Sequence, residues 1–115
     1  MGHRHEDVIE NEAGEEPIDR GHLRRMTFAD PVLEREVLTL FDRQAISMLS
    51  LLGAAEPQAL PRLAHAVKGS ARGIGAWRVA RAAAMLESAP GSDVHPLMDA
   101  LVEARGAVGR ILGRN

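Results

Sequence analysis

His65 stands at a spacing that could support chemistry, because Lys68 and Gly69 follow it by three and four residues. On an α-helix these offsets bring side chains to one face. A neutral imidazole is a good nucleophile near pH 7, and an ammonium group one turn away can hold an anionic group beside it. Glycine removes a side chain and lets another backbone approach closely. A single histidine on a helix is usually an ordinary residue, so this hypothesis depends on the combination of the three.

The element that must position these residues is a helix predicted over about 59–73. Its apolar positions recur at steps of three or four, which is typical of one buried helix face. They are Leu60, Leu63, Ala64, Val67 and Ala71. They lie mainly on the side away from His65, so we expect His65 to be exposed, with Pro61 and Arg72 on its face.

The same helix leads into GSARGIG at 69–75, which fits the GxxxGxG loop of short-chain dehydrogenases. Such a loop must follow a buried strand and open a helix. Here the preceding residues have helical periodicity, and no strand follows with an acidic residue about 20 positions on. The chain also has no Tyr, which those enzymes need. We therefore interpret Gly73 and Gly75 as the end of the helix, where a left-handed cap requires glycine.

Four more helical segments are predicted. A short one covers about 19–26. A long one starts at Asp30-Pro31, because Asp is a preferred N-cap and Pro suits the first helical position, and it ends near Gly53. A fourth covers about 77–89, and Ser92 is expected to cap the fifth.

The apolar spacing assigns an inward face to each long segment. In the first long helix that face is Leu33, Val37, Leu40, Gln44, Met48 and Leu51. In the later two it is Val79, Ala82, Ala83 and Leu86, then Val94, Leu97, Leu101, Ala104, Val108 and Ile111. With no strand pattern, the chain is predicted to be all-α, an antiparallel up-down four-helix bundle with a short additional N-terminal helix.

The amino-acid composition limits the classes of protein to which this chain can belong. The chain has 115 residues, one domain's worth, and no Cys, which fits a cytoplasmic protein without thiolate metal sites. No apolar run approaches the roughly 20 residues of a membrane span, so no membrane partner is expected. Residues 1–16 carry six acidic side chains against one arginine, a net charge of −5. We expect a disordered acidic tail over 1–17 and a folded domain over 18–115.

The stretch His65-Ala-Val-Lys68-Gly69-Ser70, with Gly75-Ala76 and Leu86-Glu87 after it, resembles the HxxKGS, GA and LE pattern of bacterial histidine phosphotransfer (HPt) domains. The resemblance extends from about Ile18 to the C-terminus. It implies that His65 accepts a phosphoryl group from the phospho-aspartate of a receiver domain and passes it to another response regulator. It implies no intrinsic kinase activity, no intrinsic cofactor, and Mg²⁺ on the partner receiver.

The resemblance also implies roles for the neighbours of His65. Phosphoryl transfer needs in-line geometry and charge stabilisation, so Lys68 would stabilise the phosphoryl oxygens and Gly69 would clear space for the receiver. Candidates for contacting the receiver are Arg62, Ser70, Arg72 and Arg78. For the arginines a solvated surface is the alternative, and Ser70 could simply pack. The partners would be receiver domains, with a hybrid sensor histidine kinase as a further candidate.

The same residues are compatible with other functions to different degrees. A docking module that binds a receiver without accepting phosphate remains the alternative. A metal site would have to use His22, His65 and His95, which lie in separate segments without carboxylates at ligand spacing. No nucleotide-binding loop and no aromatic-basic surface for nucleic acid are visible. A chain starting at Met1 is expected to be a free-standing carrier. A monomer is expected because each helix has one apolar stripe, which a single bundle could bury. Trp77 departs from the family pattern, where a smaller residue is expected.

Overall fold

The structure is a computed structural model that describes residues 16–89 and 91–114. These residues form five α-helices, one short 3₁₀-helix and no strand, which confirms the all-α prediction. The helices are α1 (Arg20–Met26), α2 (Pro31–Ala54), α3 (Leu60–Ile74), α4 (Trp77–Ser88) and α5 (His95–Leu112), with the 3₁₀-helix at Pro57–Ala59. Of the predicted tail, only Glu16 and Pro17 belong to the described residues, so the prediction for 1–15 lies outside them.

The starts of α1 and α2 follow local capping chemistry, with Asp19 and Asp30 as N-caps. Asp30 caps α2 as predicted, since its carboxylate accepts hydrogen bonds from the backbone N–H groups of Val32 and Leu33. The predicted cap of α5 by Ser92 is wrong. The helix begins at His95, whose backbone N–H donates to Asp93 at 3.0 Å. The Ser92 hydroxyl instead donates back to the carbonyl of Ala89, in the turn that leaves α4.

The core is shared by all five helices, and most predicted inward positions of α3, α4 and α5 contribute to it. The face predicted for α2 is partly wrong, because Leu40 and Leu51 are each 54% exposed. The buried positions of α2 are Leu38, Phe41, Ala45 and Leu52. Apolar residues occur around most of this helix, so periodicity alone selected a stripe rotated away from the true one.

The packing of the long helices includes two prominent pairs, α3 with α4 and α2 with α5. α3 packs closely against α4, to which the short Gly75–Ala76 turn connects it, and α2 packs against α5 and α3. Across the α2–α5 contact, the guanidinium of Arg105 donates to Asp42 at 2.8 Å, and Arg35 donates to the carbonyl of Leu112 at 3.3 Å. These contacts show that α2 and α5 run in opposite directions.

The α3–α4 turn is also where α1 is attached. The backbone N–H of Asp19 donates to the carbonyl of Gly75 at 2.9 Å, and the Trp77 indole N–H donates to the Asp19 carboxylate at 2.9 Å. The ring of His22 lies edge-on to Trp77, and its Nε2–H donates to the carbonyl of Arg72 at 3.0 Å. Trp77, unexpected from the family pattern, therefore anchors the N-terminal helix.

Only one of the two glycines predicted to terminate α3 does so. Gly75 has φ +79°, the left-handed conformation of a helix cap, and a Cβ there would lie 2.9 Å from the Asp19 Cβ. Gly73 is an ordinary helical residue, and a Cβ built on it would meet nothing within 4 Å among the residues described. The prediction is therefore confirmed for Gly75 and wrong for Gly73.

Within the described part of the chain, α2 is the one helix long and apolar enough to cross a membrane, judged by length and composition. This finding qualifies the expectation that no segment approaches a membrane span. Core helices of soluble proteins pass the same test. In this fold α2 contributes Leu38, Phe41 and Leu52 to the common core and holds Asp42 in a contact with α5.

Candidate functional site

α3 presents His65 to solvent. The imidazole is 69% exposed, while Ala64, Val67 and Ala71 on the other side of the helix are fully buried. The arrangement follows from the sequence, since small and apolar residues at steps of three and four give α3 a single inward stripe. The predicted exposure of His65 is confirmed.

One carboxylate holds both His65 and Lys68. Glu87 projects from α4, where its neighbour Leu86 is buried in the core. Its Oε2 lies 2.6 Å from Nδ1 of His65, and its Oε1 lies 2.7 Å from Nζ of Lys68. A single acidic side chain thus connects the two residues across the α3–α4 interface.

This contact determines which imidazole nitrogen is available. An ionised carboxylate only accepts hydrogen bonds, so Nδ1 of His65 carries the hydrogen that Glu87 receives. In the neutral ring Nε2 then keeps its lone pair. His65 is therefore held in the tautomer that offers Nε2, on an exposed side chain, as a nucleophile.

The charge on Glu87 is fixed by the same contacts. The hydrogen bond from Lys68 lowers the pKa of the Glu87 carboxyl, and the hydrogen bond from His65 lowers it further. Glu87 consequently stays ionised throughout the neutral range. Lys68, whose side chain is 25% exposed, is tied to Glu87 beside the imidazole.

The contacts of Glu87 with His65 and Lys68 were not predicted from the sequence. Their signal was present in the Leu86-Glu87 pair of the motif, 22 residues after His65. A role could not be assigned from spacing, because the contact depends on how the Gly75–Ala76 turn folds α4 back along α3.

Gly69 leaves bare backbone one turn after His65. Nothing described by the structure lies within 4 Å of a Cβ built at this position, so packing inside the chain does not require glycine. Glycine within a helix costs about 1 kcal/mol relative to alanine. The open space beside His65 is therefore available to an approaching molecule.

The other predicted contact residues divide into two groups. Arg62 and Arg72 are exposed on α3, and their offsets from His65 put them on its side of the helix. Arg72 and Lys68, with Arg81 and two alanines of α4, line a shallow groove of 140 Å³. This groove gives the surface beside His65 a cationic lining.

Ser70 and Arg78 lie elsewhere. Ser70 is half-buried and rotated by about 140° around α3 from His65. Arg78 donates to Glu103 of α5 at 2.7 Å, on the flank of α4 that faces away from Glu87. The structure therefore does not place either residue on the surface around His65.

The three histidines considered as metal ligands are also separated. His22 contacts the α3–α4 turn, His65 contacts Glu87, and His95 accompanies Asp93 at the start of α5. Across residues 16–89 and 91–114, no group of three or more His, Cys, Asp or Glu side chains is arranged to hold a metal ion.

Comparison with known families agrees with this geometry. The family model described as Hpt domain matches residues 35–111, more than half of the chain and the whole of α3 and α4. The chain belongs to the Hpt domain family. A search of curated proteins and a search of solved structures found no match. Domains of this family are phosphocarriers that take part in histidine phosphotransfer with receiver domains and kinases of phosphorelays.

Proposed function

We propose that this protein is a phosphorelay intermediate that receives a phosphoryl group on Nε2 of His65 from the phospho-aspartate of one receiver and passes it to another response regulator. The observation that carries the proposal is the hydrogen bond between Nδ1 of His65 and Glu87, 2.6 Å long, on an exposed imidazole. It accounts for a nucleophile that is both oriented and accessible.

The transfer step follows from that tautomer. The Nε2 lone pair attacks the phosphorus, the N–P bond forms, and the acyl O–P bond breaks with its electrons going to the departing aspartate carboxylate. No proton has to move, because the hydrogen stays on Nδ1. The ring becomes cationic as the bond forms, and the Glu87 carboxylate next to Nδ1 stabilises that charge.

The neighbouring residues would position the partner and the charge. Lys68 remains beside the imidazole through Glu87 and can place its ammonium near the phosphoryl oxygens. Gly69 would let the receiver's loops approach the backbone of α3. Arg62 and Arg72 would attract an acidic receiver and raise the association rate. Mg²⁺ would be bound by the receiver, with no cofactor on this chain.

Ser70 and Arg78 enter the proposal with smaller roles. Ser70 is better explained as a packing residue on the flank of α3 away from His65. Arg78 is better explained as a link between α4 and α5 through Glu103. We retain both as positions to test, at the edge of a receiver footprint centred on His65.

We also propose the arrangement of the helices, the domain bounds, the oligomeric state and the cellular location. The four long helices would form an antiparallel up-down bundle, supported by the opposed α2 and α5 and by the short α3–α4 turn. The domain would cover 18–115 behind an acidic tail over 1–17. We propose a monomeric bacterial protein that works in the cytoplasm without binding nucleic acid or membrane.

A transfer assay tests the function directly. Receivers are phosphorylated with a small-molecule phosphodonor in the presence of magnesium, mixed with this protein, and the chain is analysed for acid-labile, base-stable label. His65→Gln should abolish labelling without changing the far-UV circular dichroism. His95→Gln is the matched control, since His95 is exposed at the start of α5, and it should label normally. Label retained in His65→Gln would refute the role of His65.

The same assay separates the alternative function. A receiver that binds this protein but never transfers its phosphoryl group would identify a docking module instead of a carrier. Binding is followed in parallel by titrating the receiver and recording chemical-shift changes, so that absence of transfer is not confused with absence of contact.

A further inference from the structure

A groove of 470 Å³ lies along α5, between α5 and α2 and apart from the helices that carry His65 and Glu87. Its lining residues are Asp42, Arg105, Gly106, Gly109, Arg110 and Arg114. Three guanidinium groups therefore surround a space that contains one carboxylate. None of these residues has a role in the proposed transfer step.

The charge in this groove is unbalanced. Asp42 is shared by two of the arginines, with Arg105 at 2.8 Å and Arg114 at 3.4 Å. Arg105 and Arg114 remain 37% and 50% exposed, so their outer N–H groups face solvent. Arg110 is exposed, and its guanidinium lies over Gly106. The groove thus carries an excess of two positive charges.

The floor of the groove is open backbone. A Cβ built on Gly109 would meet nothing within 4 Å of any residue described, and one built on Gly106 would meet only the end of the Arg110 side chain at 3.5 Å. An extended segment can therefore approach α5 closely between the arginines.

We propose that the acidic N-terminal segment of this chain, residues 6–15, docks in the arginine groove of α5. The segment carries five acidic residues and no basic one. The described chain starts at Glu16, which lines a second pocket of 280 Å³ together with Arg110. Arg110 lines both pockets, so the first described residue, Glu16, shares a lining side chain with the groove.

The dimensions are compatible. An extended chain advances about 3.3 Å per residue, so Glu10 to Glu15 spans about 17 Å. Along α5, Arg105 to Leu112 spans about 11 Å, and Arg114 follows two residues after the end of the helix. Acidic side chains three to five residues apart can therefore meet successive guanidinium groups, and the covalent attachment keeps their effective concentration high.

The cationic surface around His65 is the competing location. Lys68 is already paired with Glu87 there. Buried Ile18 fixes the chain where it enters the fold, and Ile18 and Glu16 line one pocket with Ala107 and Arg110 of α5. Docking on α5 would leave His65 uncovered. The inference does not depend on the proposed phosphotransfer.

Paramagnetic relaxation tests the location. The chain has no Cys, so Val8→Cys gives a single attachment point for a nitroxide in the full-length protein. We expect amide broadening to be strongest over residues 105–114 and around Asp42 at low ionic strength. In 1 M NaCl it should fall several-fold, because the Debye length shrinks to about 3 Å.

Charge variants provide the controls. Arg110→Gln should reduce the broadening along α5 several-fold, and so should replacing Glu10, Glu12 and Glu15 together by Gln. Arg43→Gln, an exposed arginine on α2 outside this groove, should leave it unchanged. Broadening centred on Arg62–Arg72, weak broadening everywhere, or broadening that persists in 1 M NaCl would each overturn the proposal.

Discussion

Glu87 of α4 and His65 of α3 meet with 2.6 Å between Oε2 and Nδ1, and this contact orients the imidazole. The partner is not on the helix that carries the histidine, so the orientation depends on the packing of two helices. The same carboxylate binds Lys68 at 2.7 Å. Changes at Glu87 should therefore affect both the tautomer of His65 and the position of the lysine ammonium.

Glu87→Gln should slow phosphoryl transfer to His65. The amide has no charge to stabilise the cationic ring and can donate as well as accept, so the Nδ1–H tautomer loses its preference. Carboxylates that orient metal-bound histidines are worth about 10- to 100-fold in activity, and we expect a loss of that order.

The rate of phosphoryl transfer is measured by the labelling assay, and the tautomer of His65 by the ¹⁵N chemical shifts of its ring. Glu103→Gln, at the ion pair with Arg78, should transfer at the normal rate; equal losses in both variants would count against a specific role.

The pKa of Glu87 should depend on Lys68. The hydrogen bond from Lys68 is the largest cause that lowers this pKa below 4.5, followed by the one from His65. A lowered pKa means that the bridge stabilises the fold above the pKa of the unfolded chain and loses that contribution as the pH falls through the folded value.

Lys68→Met should therefore raise the midpoint of the Glu87 carboxyl in a ¹³C NMR titration. Arg62→Gln, which removes a charge from the same helix without touching Glu87, is the control and should leave the midpoint in place. A midpoint that is the same in wild type and in Lys68→Met would mean that the lysine contact is not maintained in solution.

Gly69→Ala should separate stability from transfer. Because a Cβ at this position would meet nothing within 4 Å in the described chain, alanine should stabilise the helix by about 1 kcal/mol. Transfer from a receiver should nevertheless slow, since the added methyl group occupies the surface beside His65.

Gly73→Ala has the same open surroundings a turn further on, and should give the stability gain without the loss of transfer. Urea unfolding and the label assay measure the two effects; unaltered transfer in Gly69→Ala would show that the receiver does not approach there.

The buried face of a helix was predicted well from the sequence where its apolar residues form a single stripe. α3 has a narrow buried stripe of Ala64, Val67 and Ala71. Its charged residues, Arg62, Lys68 and Arg72, lie on the side of His65, so the orientation of the helix and the exposure of His65 followed. α2 has apolar residues on several sides, and Leu40 was placed inward although it is exposed. The choice between Leu40 and Leu38 depends on contacts with α5, which periodicity does not contain.

The candidate site was likewise predicted only in part from the sequence. The motif identified His65, Lys68 and Gly69 as one face, which follows from helical offsets alone. The bridge through Glu87 and the pairing of Arg78 with Glu103 are contacts between helices, so they required the three-dimensional structure. Ser92 and Asp93 are both good cap residues, and only the fold decides that Asp93 receives the N–H of His95.

Gly75→Ala should destabilise the protein for two reasons that can be measured separately. The residue has φ +79°, which strains any side chain, and its Cβ would lie 2.9 Å from the Asp19 Cβ and 3.0 Å from the Asp19 carbonyl oxygen. The strain alone costs of the order of 1–3 kcal/mol. The clash should also detach Asp19 from the turn and weaken its hydrogen bond with Trp77.

Gly113→Ala is the matched control, because Gly113 caps α5 with the same φ and has open space around it within the described chain. Urea unfolding should show a clearly larger loss for Gly75→Ala than for Gly113→Ala, with a change in Trp77 fluorescence in the former alone. Equal losses would mean that the left-handed backbone accounts for the whole effect and that the contact with Asp19 does not hold α1 in place.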